Sequence, residues 1–168
     1  EQTYIYLDEI KGLGGYPVGV SGKGLLMLSG GIDSTVAGYM AMKRGIRLEA
    51  IYFAAPPHTS QEAQQKVETL ARKLALYNYN IKLHVINFTE IQEAIYKNAP
   101  HAYLITIMRR MMYRISESIA RKNNAKLIVN VESIGQVASQ TLTSIGVINE
   151  TIKMPVIRPV ACLDKLEI

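Results

Sequence analysis

The chain's 168 residues, 48% of them hydrophobic, are enough for one domain with a real core and too few for two large ones. A formal charge of +5 and a pI near 9.3 permit a nucleotide or nucleic-acid partner without requiring one. No apolar run reaches the roughly 20 residues of a membrane span, residues 1–6 lack the charged-then-apolar plan of a secretory signal, and the single cysteine, Cys162, excludes an internal disulfide framework, so a cytoplasmic protein without membrane contact is expected.

Residues 12–24 read as a glycine-rich linker, and residues 1–24 as an interdomain segment ahead of a domain filling 25–168. Gly22-Lys23 resembles the end of the phosphate motif G-x-x-x-x-G-K-[ST], but Pro17 stands where its first glycine belongs and Gly24 where its hydroxyl residue belongs. The apolar run 25–28 predicts a buried strand. It stops at S-G-G-I-D-S, residues 29–34, which reads as a phosphate cradle. Gly30 and Gly31 let the backbone come close to an anion and take conformations closed to larger residues, Ser29 and Ser34 add hydroxyls at its rim, and the following helix aims its positive end at the same point. Asp33 beside a phosphate needs a cation or a positioning role, and Mg²⁺ bridging the phosphates supplies one.

That helix is expected over 35–44 with Gly45 as its glycine stop, followed by a strand over 48–53. Thr59 with Glu62 reads as a capping box for a second helix. Ile81, Leu83 and Val85 alternate as a third, edge-like strand whose His84 faces solvent, and Thr89 with Gln92 repeats the capping signature. After Pro100 a long helix carries an apolar stripe through Leu104, Ile107, Met108, Met111, Met112, Ile115 and Ile119, its methionines read as core. The basic stretch 109–122 reads as a salt-bridged face, with Glu117 within a turn of Arg114 and Arg121. Residues 127–129 form a short strand, 130–133 a loop, Gln136 to Leu142 a helix-like run, and 154–160 a last strand made irregular by Pro155 and Pro159.

Strands alternating with helices imply an α/β fold: three layers around a mostly parallel five-stranded sheet. If the third strand ends one wing and the fourth begins the other, loops 29–34 and 130–133 line one crevice at the carboxyl edge. His58, His84 and His101 show no metal-ligand spacing, so no protein metal centre is expected.

S-G-G-I-D-S at this strand-to-helix junction resembles the pyrophosphatase-loop signature S-G-G-x-D-S of adenine-nucleotide alpha-hydrolase-like (HUP-like) enzymes, which cleave ATP between the α and β phosphates. The words G-G-Y-P-V-G (14–19), M-R-R-M-M (108–112), G-Q-V-A-S-Q-T-L (135–142) and V-I-R-P (156–159) with Asp164-Lys165 are similar to the tRNA 4-thiouridine sulfurtransferase family over nearly the whole chain. The resemblance implies ATP contacts at Met27, Leu28, Tyr52, Phe53, Arg109, Val131 and Gln140, added to the loop residues Ser29, Gly30, Gly31, Asp33 and Ser34, with Asp33 and Lys165 needed for catalysis. Phe53 would pack on the adenine. Arg109 and Lys165 would meet phosphate oxygens and the leaving pyrophosphate.

The resemblance also implies ATP and Mg²⁺ as cofactors, tRNA as substrate bound mainly by a preceding RNA-binding region, a cysteine desulfurase as persulfide donor, a thiamine-pathway sulfur carrier protein, and a homodimer. The family's persulfide cysteine lies beyond residue 168 and does not align with Cys162, which reads as a small core residue. The chain is therefore expected to be cut at both ends. Thr35 stands where the family has proline and Val131 where it has glycine; a β-branched residue there resists positive φ and adds bulk beside the nucleotide. Alternatives are another enzyme of the same ATP class (a tRNA lysidine synthetase, a 2-thiouridylase or an amidotransferase synthetase) or a non-catalytic nucleotide-binding module.

Overall fold

A computed structural model describes residues 2–135 and 141–168. The elements are β1 (Lys23–Met27), α1 (Ile32–Lys43), β2 (Arg47–Ala54), α2 (Gln61–Asn78), β3 (Leu83–Asn87), α3 (Thr89–Asn98), α4 (Leu104–Lys122), β4 (Leu127–Val129), α5 (Leu142–Asn149) and β5 (Val156–Ile157). All strand pairs are parallel, in the order β3-β2-β1-β4-β5. Winding runs outward from β1 to β3, then returns to place β4 on the other side of β1. That is the reversal expected from the sequence, with β3 at an edge.

Alternation along β1 builds both cores. Leu26 and Leu28 pack with Ala37, Ala41 and Met42 of α1 and Val67, Ala71 and Leu74 of α2. Leu25 and Met27 face the other way, onto Tyr113 and Ala120 of α4 and Ile148 of α5. Three layers result because β1 is buried on both faces.

Local differences have local causes. The helix expected from residue 35 begins at Ile32, with Gly31 as N-cap in extended geometry, so Asp33, Ser34 and Thr35 lie inside α1. Gly45, at φ +81, accepts the left-handed turn that ends α1 and donates its N–H to Met42 O. Residues expected as linker are docked here: Gly19 and Ser21 donate to Gly45 O at 2.8 and 3.0 Å, and the Tyr16 ring lies under the Arg44 guanidinium. The α2 cap is Ser60, taking Ala63 N–H, while Thr59 accepts the N–H of Ala55. Thr89 likewise lies inside α3, its hydroxyl donating to Pro56 O. The expected last strand over 154–160 shrinks to Val156–Ile157, bounded by Pro155 and a turn at Pro159. On α4 the most buried positions are Leu104, Tyr113, Ser116 and Ala120, and the methionines lie beside them, half-buried. The expected Arg121–Glu117 pair is present at 2.6 Å.

Two expectations are reversed. Cys162 is exposed, on a turn outside β5, so it is not a core residue. His84 does not face open solvent: its Nε2 lies 2.8 Å from Glu49 Oε2, and Lys23 Nζ donates to Glu49 Oε1 at 2.9 Å. Burial pushes the Glu49 carboxyl up, but hydrogen bonds and charge from Lys23 and His84 together outweigh it and hold the group below its ordinary 4.5. A depressed folded value means that this contribution is complete above the unfolded value and is lost as pH falls through the folded one. Glu49→Gln is therefore expected to flatten the stability loss below about pH 4.5 in acid melts; an acid limb as steep as the parent's would contradict it.

Candidate functional site

The carboxyl ends of β1 and β4 are neighbours, Leu26 pairing with Val129. The loop from β1 to α1 and the loop after β4 therefore open side by side, as the topology argument required. Ser34 is fully buried and folds the first loop into a ring: its Oγ lies 3.0 Å from Ser29 O and 2.9 Å from Gly31 O, and accepts from Ser29 N–H. Of the two serines expected at the rim, Ser29 is exposed there and Ser34 is an internal brace.

Gly30 and Gly31 are not glycine for backbone strain. Neither has a positive φ, and Gly31 sits at φ −93. A Cβ on Gly30 would meet only Lys66 Cδ at 3.8 Å, and one on Gly31 only Ser29 Oγ at 3.6 Å. Among the described residues, nothing else enters this space. It lies in front of the first-turn N–H groups of α1, which has no side-chain cap, and suits an anion. Lys66 of α2 is an additional cation beside the loop that the motif did not reveal, because it comes from a different helix.

Lys165 Nζ reaches Asp33 across the crevice, 3.2 and 3.0 Å from its two carboxylate oxygens. These residues are far apart in sequence and converge at the mouth of the loop. Among the described residues no cluster of three or more His, Cys, Asp and Glu could cage a metal. One carboxylate beside an open anion cradle suits Mg²⁺, which keeps its waters and is held largely by substrate phosphates. Beside the pair, a cavity of about 590 Å³ is lined by residues including Ser133, Ala161 and Lys165.

Met27 and Leu28 are buried, so any ligand contact they make is through the main chain. Leu28 N–H donates to Ile51 O at 2.9 Å, the last rung between β1 and β2 outside the strand ladder. Alternate residues of a strand direct their main-chain groups to the same edge. The N–H and C=O of Phe53 thus face the side that β1 has vacated. Tyr52 points into the core, and the Phe53 ring is set edge-on to Phe88 at 5.5 Å. Phe53 therefore has main-chain groups available for a base edge, while its ring is already engaged.

Arg109 is anchored by a residue the sequence reading passed over. Its Nη1 donates to Glu132 Oε1 at 3.1 Å, and Glu132 is 1% exposed. Val131 is not in a left-handed conformation and packs, half-buried, against the core of the α1 and α2 face, so the strain expected of a β-branched residue there does not arise. Gln140, with Gln136, lies outside the described residues.

The family model for thiamine biosynthesis protein (ThiI) matches residues 19–168. The chain belongs to the ThiI family. Relatives named probable tRNA sulfurtransferase, from Brevibacillus brevis and Halothermothrix orenii, are 58% and 59% identical over the whole chain, which spans 42% of their length. A solved 4-thiouridine synthetase–RNA complex with bound ATP is 44% identical, with a TM-score of 0.89 over 92% of this chain and 40% of that one. An NH3-dependent NAD synthetase from Campylobacter jejuni, 17% identical with a TM-score of 0.61 over 86% of this chain and 60% of that one, shares the fold alone. The chain thus has the pyrophosphatase-loop α/β fold, and residues 28–34, the loop with the first turn of α1, span the β1–α1 junction at the sheet's switch point.

Proposed function

We propose that this chain is the ATP-binding catalytic part of a tRNA sulfurtransferase, which adenylates a uridine of tRNA on the way to 4-thiouridine. The observation that carries the reading is the Asp33–Lys165 pair at the mouth of an open glycine loop, in a chain similar to an ATP-bound 4-thiouridine synthetase. The adenine edge meets the Phe53 main chain, and the phosphates lie in loop 28–34 on the α1 N-terminus. The uridine carbonyl oxygen attacks the α phosphorus as the bond to pyrophosphate breaks. The terminal sulfur of the persulfide then adds at the activated carbon and AMP departs with the original oxygen; a second thiol cleaves the remaining S–S bond, which leaves 4-thiouridine and a disulfide between the two thiols.

Loop N–H groups, Lys165 and Arg109 stabilise charge on the leaving pyrophosphate. Mg²⁺, held on the protein side by Asp33, would spread that charge further when bound. A cysteine desulfurase supplying the persulfide, onward sulfur transfer for thiamine synthesis and a homodimeric assembly belong to the same proposal and rest on the family resemblance. Val131, packed into the core beside the crevice, would alter affinity through bulk rather than backbone strain.

Product analysis tests the reading. The whole protein that contains this chain, given tRNA, ATP and a persulfide donor, is expected to yield 4-thiouridine, AMP and pyrophosphate. Lysidine, 2-thiouridine or an amide would reassign it within the ATP class, and ATP binding without any pyrophosphate would make it a non-catalytic module.

A further inference from the structure

Glu132 is a buried carboxylate in a loop that by composition should be wet, and its two oxygens have different partners. Oε2 accepts from Arg158 Nε at 2.9 Å and from Tyr113 OH at 3.0 Å. Oε1 accepts from Arg109 Nη1 at 3.1 Å. The Oε2 side is rigid. Arg158 Nη2 also reaches Tyr113 OH and Asn149 Oδ1, Asn130 Nδ2 donates to Tyr113 OH, and the Glu132 N–H is held by Asn130 Oδ1 at 2.7 Å. Burial and the neighbouring carboxylate push the Tyr113 phenol well above its ordinary value, so it remains a donor.

One strong cation and one hydroxyl already satisfy the charge of Glu132, and the second guanidinium is not needed to make its burial tolerable. Arg109 is also the more exposed of the two, its side chain 29% accessible against 14% for Arg158. Among the described residues, Arg109 uses only Nη1 in a protein contact, which leaves Nε and Nη2 directed elsewhere.

We propose that Glu132 is the positioning residue of the site: fixed from behind by Arg158 and Tyr113, it holds Arg109 oriented toward bound nucleotide without touching the nucleotide itself. A free arginine loses substantial rotamer freedom when it engages a ligand, and a tether formed beforehand removes part of that cost. This inference rests on the ATP reading above.

A double-mutant cycle on ATP affinity tests it. Glu132→Gln in the otherwise unchanged chain is expected to weaken ATP binding about ten- to hundredfold, the worth of one charge-assisted contact. In an Arg109→Ala background the same change should have no further effect. An equal loss in both backgrounds, or no loss in the first, overturns the role of Glu132. If Glu132→Gln does not fold, Glu132→Asp, which keeps the charge and shortens the reach, is read through the same cycle. Side-chain NMR of Arg109 Nε, recorded without nucleotide, should show an ordered guanidinium in the parent and an averaged one in the variant; identical order would also overturn it. A parent chain that binds no ATP would instead remove the nucleotide reading itself, while leaving the NMR comparison to judge the tether.

Discussion

Gly31→Val is expected to leave the fold standing and abolish ATP binding. Gly31 has φ −93 and ψ 159, a conformation valine adopts readily, and its added Cβ meets nothing closer than Ser29 Oγ at 3.6 Å. Valine is a poorer N-cap than glycine, which costs about 1 kcal/mol, or a fall of about 2–4 °C in the melting midpoint of a chain this size. The methyl groups, however, occupy the space over the first-turn N–H groups of α1. A ligand phosphate would lose several charge-assisted hydrogen bonds at once, and affinity should drop at least about a hundredfold. Thermal melts with and without ATP measure both effects on one sample. A large loss of intrinsic stability would mean that glycine serves the fold here, and retained ATP protection would mean that phosphate binds elsewhere.

The second large effect is on chemistry. Lys165→Ala or Asp33→Asn breaks an ion pair in which Lys165 is 65% exposed, so stability should change by less than about 1 kcal/mol. Pyrophosphate release by the whole protein with tRNA should fall by about 10²–10³ if each group acts on developing charge. The exchange Asp33→Lys with Lys165→Asp separates the roles. It restores a pair of opposite charges across the crevice but puts cation and carboxylate in each other's positions. Activity recovered by the exchange would show that the pair merely ties the 164–167 turn to the loop; inactivity equal to the single variants is expected.

Much of this site was legible because phosphate loops are local. An apolar run, two glycines and an aspartate at a strand-to-helix junction specify the geometry within a dozen residues, and rules for connecting parallel strands put the 130–133 loop opposite it. Buried polar partners were less legible. Glu132 sits in N-V-E-S, a stretch that by composition belongs on a surface, and what buries it comes from α4 and from the turn after β5. His84 alternates correctly on its edge strand, but whether its face is wet depends on Glu49 of β2. Capping went to Ser60, although only Thr59 has a glutamate three residues on, because the Thr59 hydroxyl is taken by the Ala55 N–H. Phe53 was placed at the proper strand end, but its ring has Phe88 as a partner, which only the packing of α3 against the sheet reveals.

Calorimetric titration of the chain with ATP, and with GTP under the same conditions, tests the central claim most directly. A saturable one-site isotherm for ATP is expected, much weaker for GTP if the Phe53 main chain reads the base edge as proposed, and absent in Gly31→Val. No saturable heat with ATP, or an ATP isotherm in Gly31→Val identical to the parent's, would contradict the assignment of loop 28–34 as the phosphate site.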